Sequence, residues 1–380
     1  MKNIPNTGAL AGIRVVDLSR ILGGPLCGQI LGDHGADVLK VEPPQGDDTR
    51  AWGPPFRDDG VASYYLGLNR NKRLMRLDLG AETGRAVLLG LLAEADVLIE
   101  NFKTGTMEKW GLGYDTLAER FPRLVHARVS GFGADGPLGG LPGYDAALQA
   151  LNGIMSVNGE AGGAPLRVGL PVVDMVTGMN AALGVMLALH ERQRSGRGQF
   201  VEAALYDSGL SLLHPHGANW FLDGREPERT GNAHPNIYPY DGFATGSEPI
   251  FLAVGNDRQF SILCRHLDGP ALAEDPRFAS AGARSVNRSA LQVELERLLA
   301  AHDCKPLADA LVQAGVPCAP VLSVPQALQH PHTAHRQMVV ELPGGYKGIG
   351  APIKLGRTPA SYRFAPLTEG ADFLPNEETT

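Results

Sequence analysis

The sequence predicts an α/β protein with a mostly parallel sheet, followed by a smaller α+β domain. Three observations carry this reading. Short runs rich in β-branched residues alternate with helical segments through the first third of the chain. The first strand, at 13–18, feeds a helix that leads straight into a second strand at 37–42, the arrangement that lays strands side by side in parallel. The chain has 380 residues, 43% of them apolar and 20% charged, which is enough for two or three domains with substantial cores.

Each element has a local reason. Residues 13–18 (IRVVDL) form the continuous apolar run of a strand buried on both faces. Gly23 and Gly24 supply a tight turn, Pro25 suits the first turn of a helix, and Gly35 ends that helix after Asp33. The alternation continues with a strand at 74–79, a helix at 82–93 and a strand at 96–100, then a helix at 114–121 and a strand at 124–130. A helix at 175–194 is apolar nearly all round, which predicts burial, and a strand at 199–205 follows it. The polar stretch 223–229 marks a boundary. Beyond it come a strand at 250–254, helices at 259–267 and 289–302, and an extended, proline-punctuated segment at 316–321. The reading divides the chain into a large domain at 1–222, a small domain at 223–325, and a segment at 326–380 that returns to the large domain and ends in a polar tail expected to fray.

Composition excludes several functions. With 41 acidic and 34 basic side chains the net charge is −7, against the basic face a general nucleic-acid binder needs. Cys27, Cys264, Cys304 and Cys318 have no C-x-x-C spacing and read as free thiols of a reducing compartment, with no metal site. The first ten residues lack the apolar core of a signal peptide. The longest apolar run, 175–189, is broken by Thr177, Gly178 and Asn180 and falls short of a membrane span. These features predict a cytoplasmic protein with neither membrane nor nucleic-acid partners.

The turn after the first strand, Arg20 to Gly24, has glycines without the G-x-G-x-x-G of dinucleotide folds, and no phosphate-loop, zinc-protease or serine-hydrolase signature occurs. Two features could carry chemistry. Asn69-Arg70-Asn71-Lys72-Arg73 puts three cations in four residues, suited to phosphates, although a solvated strand edge is the commoner role. Asp174 is a lone carboxylate in apolar surroundings at a helix start, where a cap accepting a backbone N–H is commoner than a nucleophile.

Collinear motifs over nearly the whole chain sharpen this. They are 15–25 with Gly32-Asp33-His34-Gly35-Ala36-Asp37 and the strand to Glu42, Gly46-Asp47-Asp48-Thr49-Arg50, Asn69 to Lys72, Glu100-Asn101-Phe102, Gly143-Tyr144-Asp145 and the segment around Asp174. In these the chain resembles the family III, formyl-CoA transferase-like coenzyme A transferases, a group that includes the α-methylacyl-CoA racemases. Trp52-Gly53-Pro54-Pro55-Phe56, Ala233-His234 and Tyr238-Pro239-Tyr240 look most like the succinyl-CoA:glutarate and dicarboxylate transferases.

The resemblance implies a large Rossmann-like domain, a small domain, and a homodimer of two interlocked ring-shaped chains. It aligns Asp174 with the family's catalytic aspartate, which a helix N-terminus would keep ionised. It implies coenzyme A contacts at Leu22 and Gly23, at Asn69, Arg70, Asn71 and Lys72, at Asn101, Phe102 and Lys103, and at Lys109 and Tyr144. Arg20, Arg50 and His234 become candidates for an acceptor's distal carboxylate, with pairing of Arg50 to Asp47 or Asp48 as the alternative. Coenzyme A is a substrate on this reading and no permanent cofactor is implied. Two positions depart from relatives: Pro43 stands where several have Arg, and Pro142 where formyl-CoA transferase has Lys. The racemases place a proton-transferring His where this chain has Tyr144, a poor base near neutrality, and His126 falls within a strand. No glycine-rich loop like that of the formyl-CoA branch occurs in the second domain. The sequence therefore favours transfer of coenzyme A from an acyl-CoA such as succinyl-CoA to a short dicarboxylate such as glutarate, itaconate or succinate. A racemase and a non-catalytic acyl-CoA-binding protein are the alternatives.

Overall fold

A computed structural model describes residues 7–368, which fall into two compact units. Among these residues the first unit comprises 7–153, 168–212 and 331–368, and the second comprises 154–167 and 213–330. The segment 154–167, read from sequence as part of the large domain, clusters with the second unit. The expected fraying of the C-terminal tail concerns residues that lie outside the described ones.

In chain order the first two hundred residues form β1 (Arg14–Asp17), α1 (Gly23–Asp33), β2 (Asp37–Glu42), α2 (Ser63–Leu66), β3 (Lys72–Arg76), α3 (Glu82–Leu92), β4 (Val97–Glu100), α4 (Thr106–Lys109), α5 (Tyr114–Arg120), β5 (Val125–Ser130), α6 (Asp145–Leu151), α7 (Ile154–Val157), α8 (Val172–Ser195), β6 (Phe200–Ala204) and α9 (Leu205–Ser211). The six strands make one parallel sheet in the order β3-β2-β1-β4-β5-β6. The order runs outward from β1 to β3 and then restarts at β4 on the other side of β1. Loops leaving β1 and β4 therefore diverge, and a crevice opens at the carboxyl ends of these two strands. This is where an α/β sheet of this order takes its ligand.

The sheet centre is apolar, with Val15, Val16, Val97, Leu98 and Ile99 buried. Buried ion pairs flank it. Lys72 and Asp17 pair at 2.9 Å, Lys40 and Asp47 at 2.9 Å, and Arg70 and Asp33 at 2.6 Å, all buried. Such pairs hold only because each charge meets a partner and further hydrogen bonds. The Lys72 ammonium shows how: it donates to Asp17 Oδ2, the Pro25 carbonyl and Asn69 Oδ1, using all three protons. This satisfied charge lets β3 begin at Lys72, earlier than the 74–79 expected, and the strand ends at Arg76; Leu77 N–H still donates to the Glu42 carbonyl, and Leu79 packs into the core with Leu88 and Leu92 of α3.

Helix α8 is the crossover into β6 and packs along α1, β5 and α9. It is long and apolar enough to pass for a membrane span, yet Arg192 in its last turns is buried and bonded to Asp96 and the Arg123 carbonyl. The expectation of burial all round is corrected. Met175, Met179, Leu183 and Leu187 form an exposed stripe at i, i+4 spacing, with Leu187 62% exposed.

The second unit adds α10 (His216–Asp223), β7 (Tyr240–Phe243), β8 (Ile250–Ala253), α11 (Asp257–His266), α12 (Ala271–Glu274), α13 (Ala281–Val286), α14 (Arg288–Leu299), α15 (Cys304–Gln313), β9 (Cys318–Pro320) and α16 (Val324–Gln329). Its sheet is antiparallel, β7-β8-β9, and packs with Phe260, Leu263, Leu295, Leu299 and Leu311 in its own core. The chain then rejoins the first unit through α17 (Pro331–His335) and the hairpin β10 (Val339–Leu342) and β11 (Tyr346–Ile349). Ser361 donates to the Asp33 carbonyl, the Phe364 carbonyl accepts from Asn71 N–H, and Arg363 donates to the Ala36 carbonyl, so this last segment is stitched to α1 and β3.

Candidate active site

The crevice at the divergence of β1 and β4 is lined by Arg20 to Gly23, Asn101 to Thr104, Val129 to Gly131, Gly140 to Tyr144, Leu205 and Asp174. A neighbouring hollow of about 420 Å³ is lined by Val41 to Gln45, Leu77 to Gly80, Thr106 and Trp110. The two share Arg20, Phe102 and Lys103 and so adjoin near the carboxyl ends of the strands. A larger groove, about 660 Å³, lies against β1–β3 and α3, but its Arg14 and Arg73 already pair with Glu94 and Asp37 and it reaches none of the crevice residues.

The loop from β1 to α1 is fixed from both sides. Asn101 accepts from Arg20 N–H at 2.9 Å and donates to the Arg20 carbonyl at 2.7 Å, tying the two diverging loops together. The next residue, Ile21, sits at φ 74°, a left-handed conformation that a β-branched residue adopts only under constraint. Its N–H reaches Asp47 Oδ1, itself held by the buried Lys40–Asp47 pair. The chain then enters α1, whose first residue, Gly23, lines the crevice with a first-turn N–H that has no partner within the helix.

Asp174 lies in the first turn of α8, inside the helix, and Pro171 occupies the cap position without a side-chain bond. The cap-like role falls to another carboxylate: Asp145 Oδ1 accepts from Val173 N–H at 2.8 Å and Asp174 N–H at 3.3 Å. This also corrects the expectation that the helix terminus keeps Asp174 ionised. Burial first, and then the charge of Asp145, push its carboxyl up to about 7. Tyr64 on α2 feels the same charges: burial, Asp174 and Asp145 push its phenol up to about 12, so it stays protonated as a hydrogen-bond donor. Trp52 stacks edge-on to Tyr64 at 5.3 Å, bringing the Trp52–Phe56 loop to this side.

The other sequence candidates divide cleanly. Leu22, Gly23, Asn101, Phe102, Lys103, Tyr144 and Arg20 all line the crevice. Lys103 is exposed there, and the Arg20 guanidinium meets only the exposed Asp48 at 3.3 Å. Pro142 lines the crevice and Pro43 the adjoining hollow, so both departures from the family pattern sit at these cavities. Lys109 is exposed on α4 and lines neither cavity.

Asn69, Arg70, Asn71 and Lys72 are neither a solvated edge nor a set of open phosphate ligands. All four are buried, with Arg70 on Asp33 and the Ile349 carbonyl, Asn71 on Asp33 and the Ser361 carbonyl, Asn69 on the Tyr65 carbonyl, and Lys72 on Asp17.

Arg50 is likewise engaged. It donates to both oxygens of buried Glu42, at 2.8 and 3.1 Å, and to the Tyr65 hydroxyl, and pairs with neither Asp47 nor Asp48. His126 is buried between Tyr114 and Phe200 in the sheet. His234 belongs to the second unit, where its Nδ1 accepts from Asn236 N–H and its ring packs on Tyr240. Sequence reasoning missed Tyr64 and Gln149. Neither has a local signal, since only the fold brings α2 and α6 to the start of α8.

A crevice at the switch point, a perturbed carboxylate in its lining and a first-turn helix N–H beside it define an enzyme acting on a partly anionic ligand. The family model for CoA-transferase family III matches residues 10–373. A succinyl-CoA:mesaconate CoA-transferase of Haloarcula hispanica is 40% identical over 377 residues, covering 95% of this chain and 94% of the relative. A succinate–glutarate CoA-transferase of Agrobacterium fabrum is also 40% identical, covering 95% and 93%. The crystal structure of a CaiB/BaiF family protein from Brucella suis is similar with a TM-score of 0.85 at 39% identity, covering 95% of this chain and 96% of that one. The chain belongs to CoA-transferase family III.

Proposed function

We propose that this enzyme moves coenzyme A from succinyl-CoA or a similar acyl-CoA to a short dicarboxylate, through an aspartyl-CoA thioester on Asp174. The observation that carries it is the Asp174 carboxylate in the lining of the crevice, which shares Arg20, Phe102 and Lys103 with the adjoining hollow. Ionised Asp174 attacks the thioester carbonyl, forming a mixed anhydride and expelling CoA thiolate. The thiolate attacks the aspartyl carbonyl, giving the enzyme thioester and releasing the first acid. The acceptor carboxylate then attacks that thioester, expelling the thiolate again, and thiolate attack on the acceptor acyl group of the new anhydride frees Asp174. Each step exchanges one acyl bond for another, so no ATP is consumed. The Gly23 N–H is suited to the oxyanions, and the neutral Tyr64 hydroxyl to an acyl or carboxylate oxygen.

In this reading the adenine end of coenzyme A occupies the hollow by Pro43 and Trp110, Lys103 and Arg20 meet its negative groups, and the pantetheine arm passes Phe102 and Asn101 towards Asp174. Arg20 and His234 are the candidates for the acceptor's distal carboxylate, which needs a cationic or hydrogen-bonding partner once desolvated. The relatives' names, which pair succinyl-CoA with mesaconate or glutarate, support a dicarboxylate acceptor. The exposed stripe on α8 supports a homodimer, in which a second chain covers Leu183 and Leu187. We place the enzyme in the cytoplasm, as its thiols and substrates fit. The test is a panel of acids assayed with succinyl-CoA, with hydroxylamine present in parallel reactions. Acyl-CoA-dependent hydroxamate at Asp174 is the expected result. Exchange of the substrate α-proton with an unmodified Asp174 would overturn the mechanism.

A further inference from the structure

The start of α8 is not held by its own residues. Asp145, the first residue of α6, is buried and directs Oδ1 at the N–H groups of Val173 and Asp174, while Oδ2 accepts from Gln149 Nε2 at 2.7 Å, one helical turn on. Gln149 is fully buried and grips the approach to α8: its Oε1 accepts from Val168 N–H at 2.9 Å, and its Nε2 also donates to the Leu170 carbonyl at 3.2 Å. One carboxylate and one amide on a single face of α6 thus fix three backbone points leading to Asp174 and the N–H of Asp174 itself.

We propose that Asp145, anchored by Gln149, is the positioning residue for the reacting carboxylate, setting where the Asp174 backbone sits. The proposal rests on the reading of Asp174 as nucleophile.

A neutral cap such as Ser or Asn would serve the N–H groups as well. An ionised carboxylate does something more, because its like charge makes Asp174 harder to ionise and hence more basic as a nucleophile. Other groups near Asp174 do not replace it. Tyr64 faces it from α2 as a neutral phenol, and Arg20, Lys103 and Tyr144 line the same crevice. Along α8, the neighbouring β5 carries His126 and Arg128, β6 carries Glu202 and α9 carries Asp207, none of them lining the crevice, and the first turn of α1 has no charged side chain.

The test compares Asp145→Asn, Asp145→Ala and Gln149→Leu with the full-length wild type, measuring kcat and KM against pH and hydroxylamine trapping at Asp174. Asp145→Asn retains an acceptor for Val173 N–H and loses the charge, so the acid limb of kcat should move to lower pH. Asp145→Ala and Gln149→Leu should lower kcat on the order of 10²-fold, the scale of a misplaced reacting group, with KM for the acyl-CoA little changed. Melting curves identify any variant that fails to fold. An unshifted acid limb with wild-type kcat in Asp145→Asn would overturn the proposal, as would failure of both Asp145 variants to fold, which would make Asp145 a residue of the fold alone. Absence of trapping at Asp174 in the wild type would instead sink the nucleophile reading. Trapping in the wild type with equal rates in the variants would sink only this inference.

Discussion

Gly178 and Gly23 bring two helices together near Asp174: a Cβ on Gly178 would lie 2.6 Å from the Gly23 carbonyl oxygen. The contact is backbone to backbone, so no side chain can swing aside to make room. It lets the first turns of α1 and α8 meet, with the Gly23 backbone beside that of Asp174.

Gly178→Ala should therefore destabilise the protein although it lies within a helix. Alanine gains about 1 kcal/mol of helix propensity over glycine, and forcing apart a packed contact costs about 1–3 kcal/mol. We expect a lower melting temperature and a lower kcat together. A variant with raised stability and full activity would mean the helices can separate freely.

The raised pKa of Asp174 has a sign that can be checked against pH. Ionising this group is harder in the folded chain than in the unfolded one, so its contribution favours folding below the ordinary carboxylate range and is lost as pH rises from about 4 through about 7. Asp174→Asn should abolish transfer at every pH. Its stability relative to wild type should improve as pH rises across that window, by up to ~1.4 kcal/mol per pH unit. Differential scanning calorimetry at pH 5 and pH 8 decides this, and a pH-independent difference would contradict the assigned ionisation.

Wild-type transfer should show an acid limb near pH 7, well above an ordinary carboxylate, because the attacking form is the ionised one. A kcat profile flat from pH 5 to pH 8 would mean that Asp174 is already ionised throughout.

Lys72 and Lys103 should respond in opposite ways. Lys72→Met leaves Asp17 buried without its cation and should cost about 3–5 kcal/mol of stability. Lys103→Ala removes an exposed cation from the crevice and should weaken acyl-CoA binding with little change in melting temperature. Arg50→Ala belongs with the first kind, since it strips buried Glu42 of its bidentate partner. Isothermal titration with succinyl-CoA alongside thermal melts separates the two effects.

The sheet was legible in sequence because strands buried on both faces are runs of Val, Leu and Ile, as in β4 and the middles of β1 and β2, while β5 keeps only Val125, Ala127 and Val129 between polar residues. The charged residues were not. Arg50 and Lys72 carry the same cations whether they meet phosphate or a buried carboxylate, and only the positions of Glu42 and Asp17 decide. The α8 stripe was misjudged for a related reason: Leu183 and Leu187 are apolar whether their own chain or another covers them. Asp174 stood out through collinear motifs, while its raised pKa comes first from burial and then from the charge of Asp145, 29 residues earlier in the chain.

The three bonds of the Lys72 ammonium fix more than a charge. They reach β1 through Asp17, α1 through Pro25 and the turn before β3 through Asn69, so one nitrogen acts as a joint among three elements. An ammonium points its protons along tetrahedral directions, whereas a guanidinium confines its donors to a plane. Arginine at this position would keep the charge and lose the joint. Tolerance there is governed by the directions in which hydrogen bonds leave the side chain, and the seat of α1, on which α8 rests, inherits that constraint.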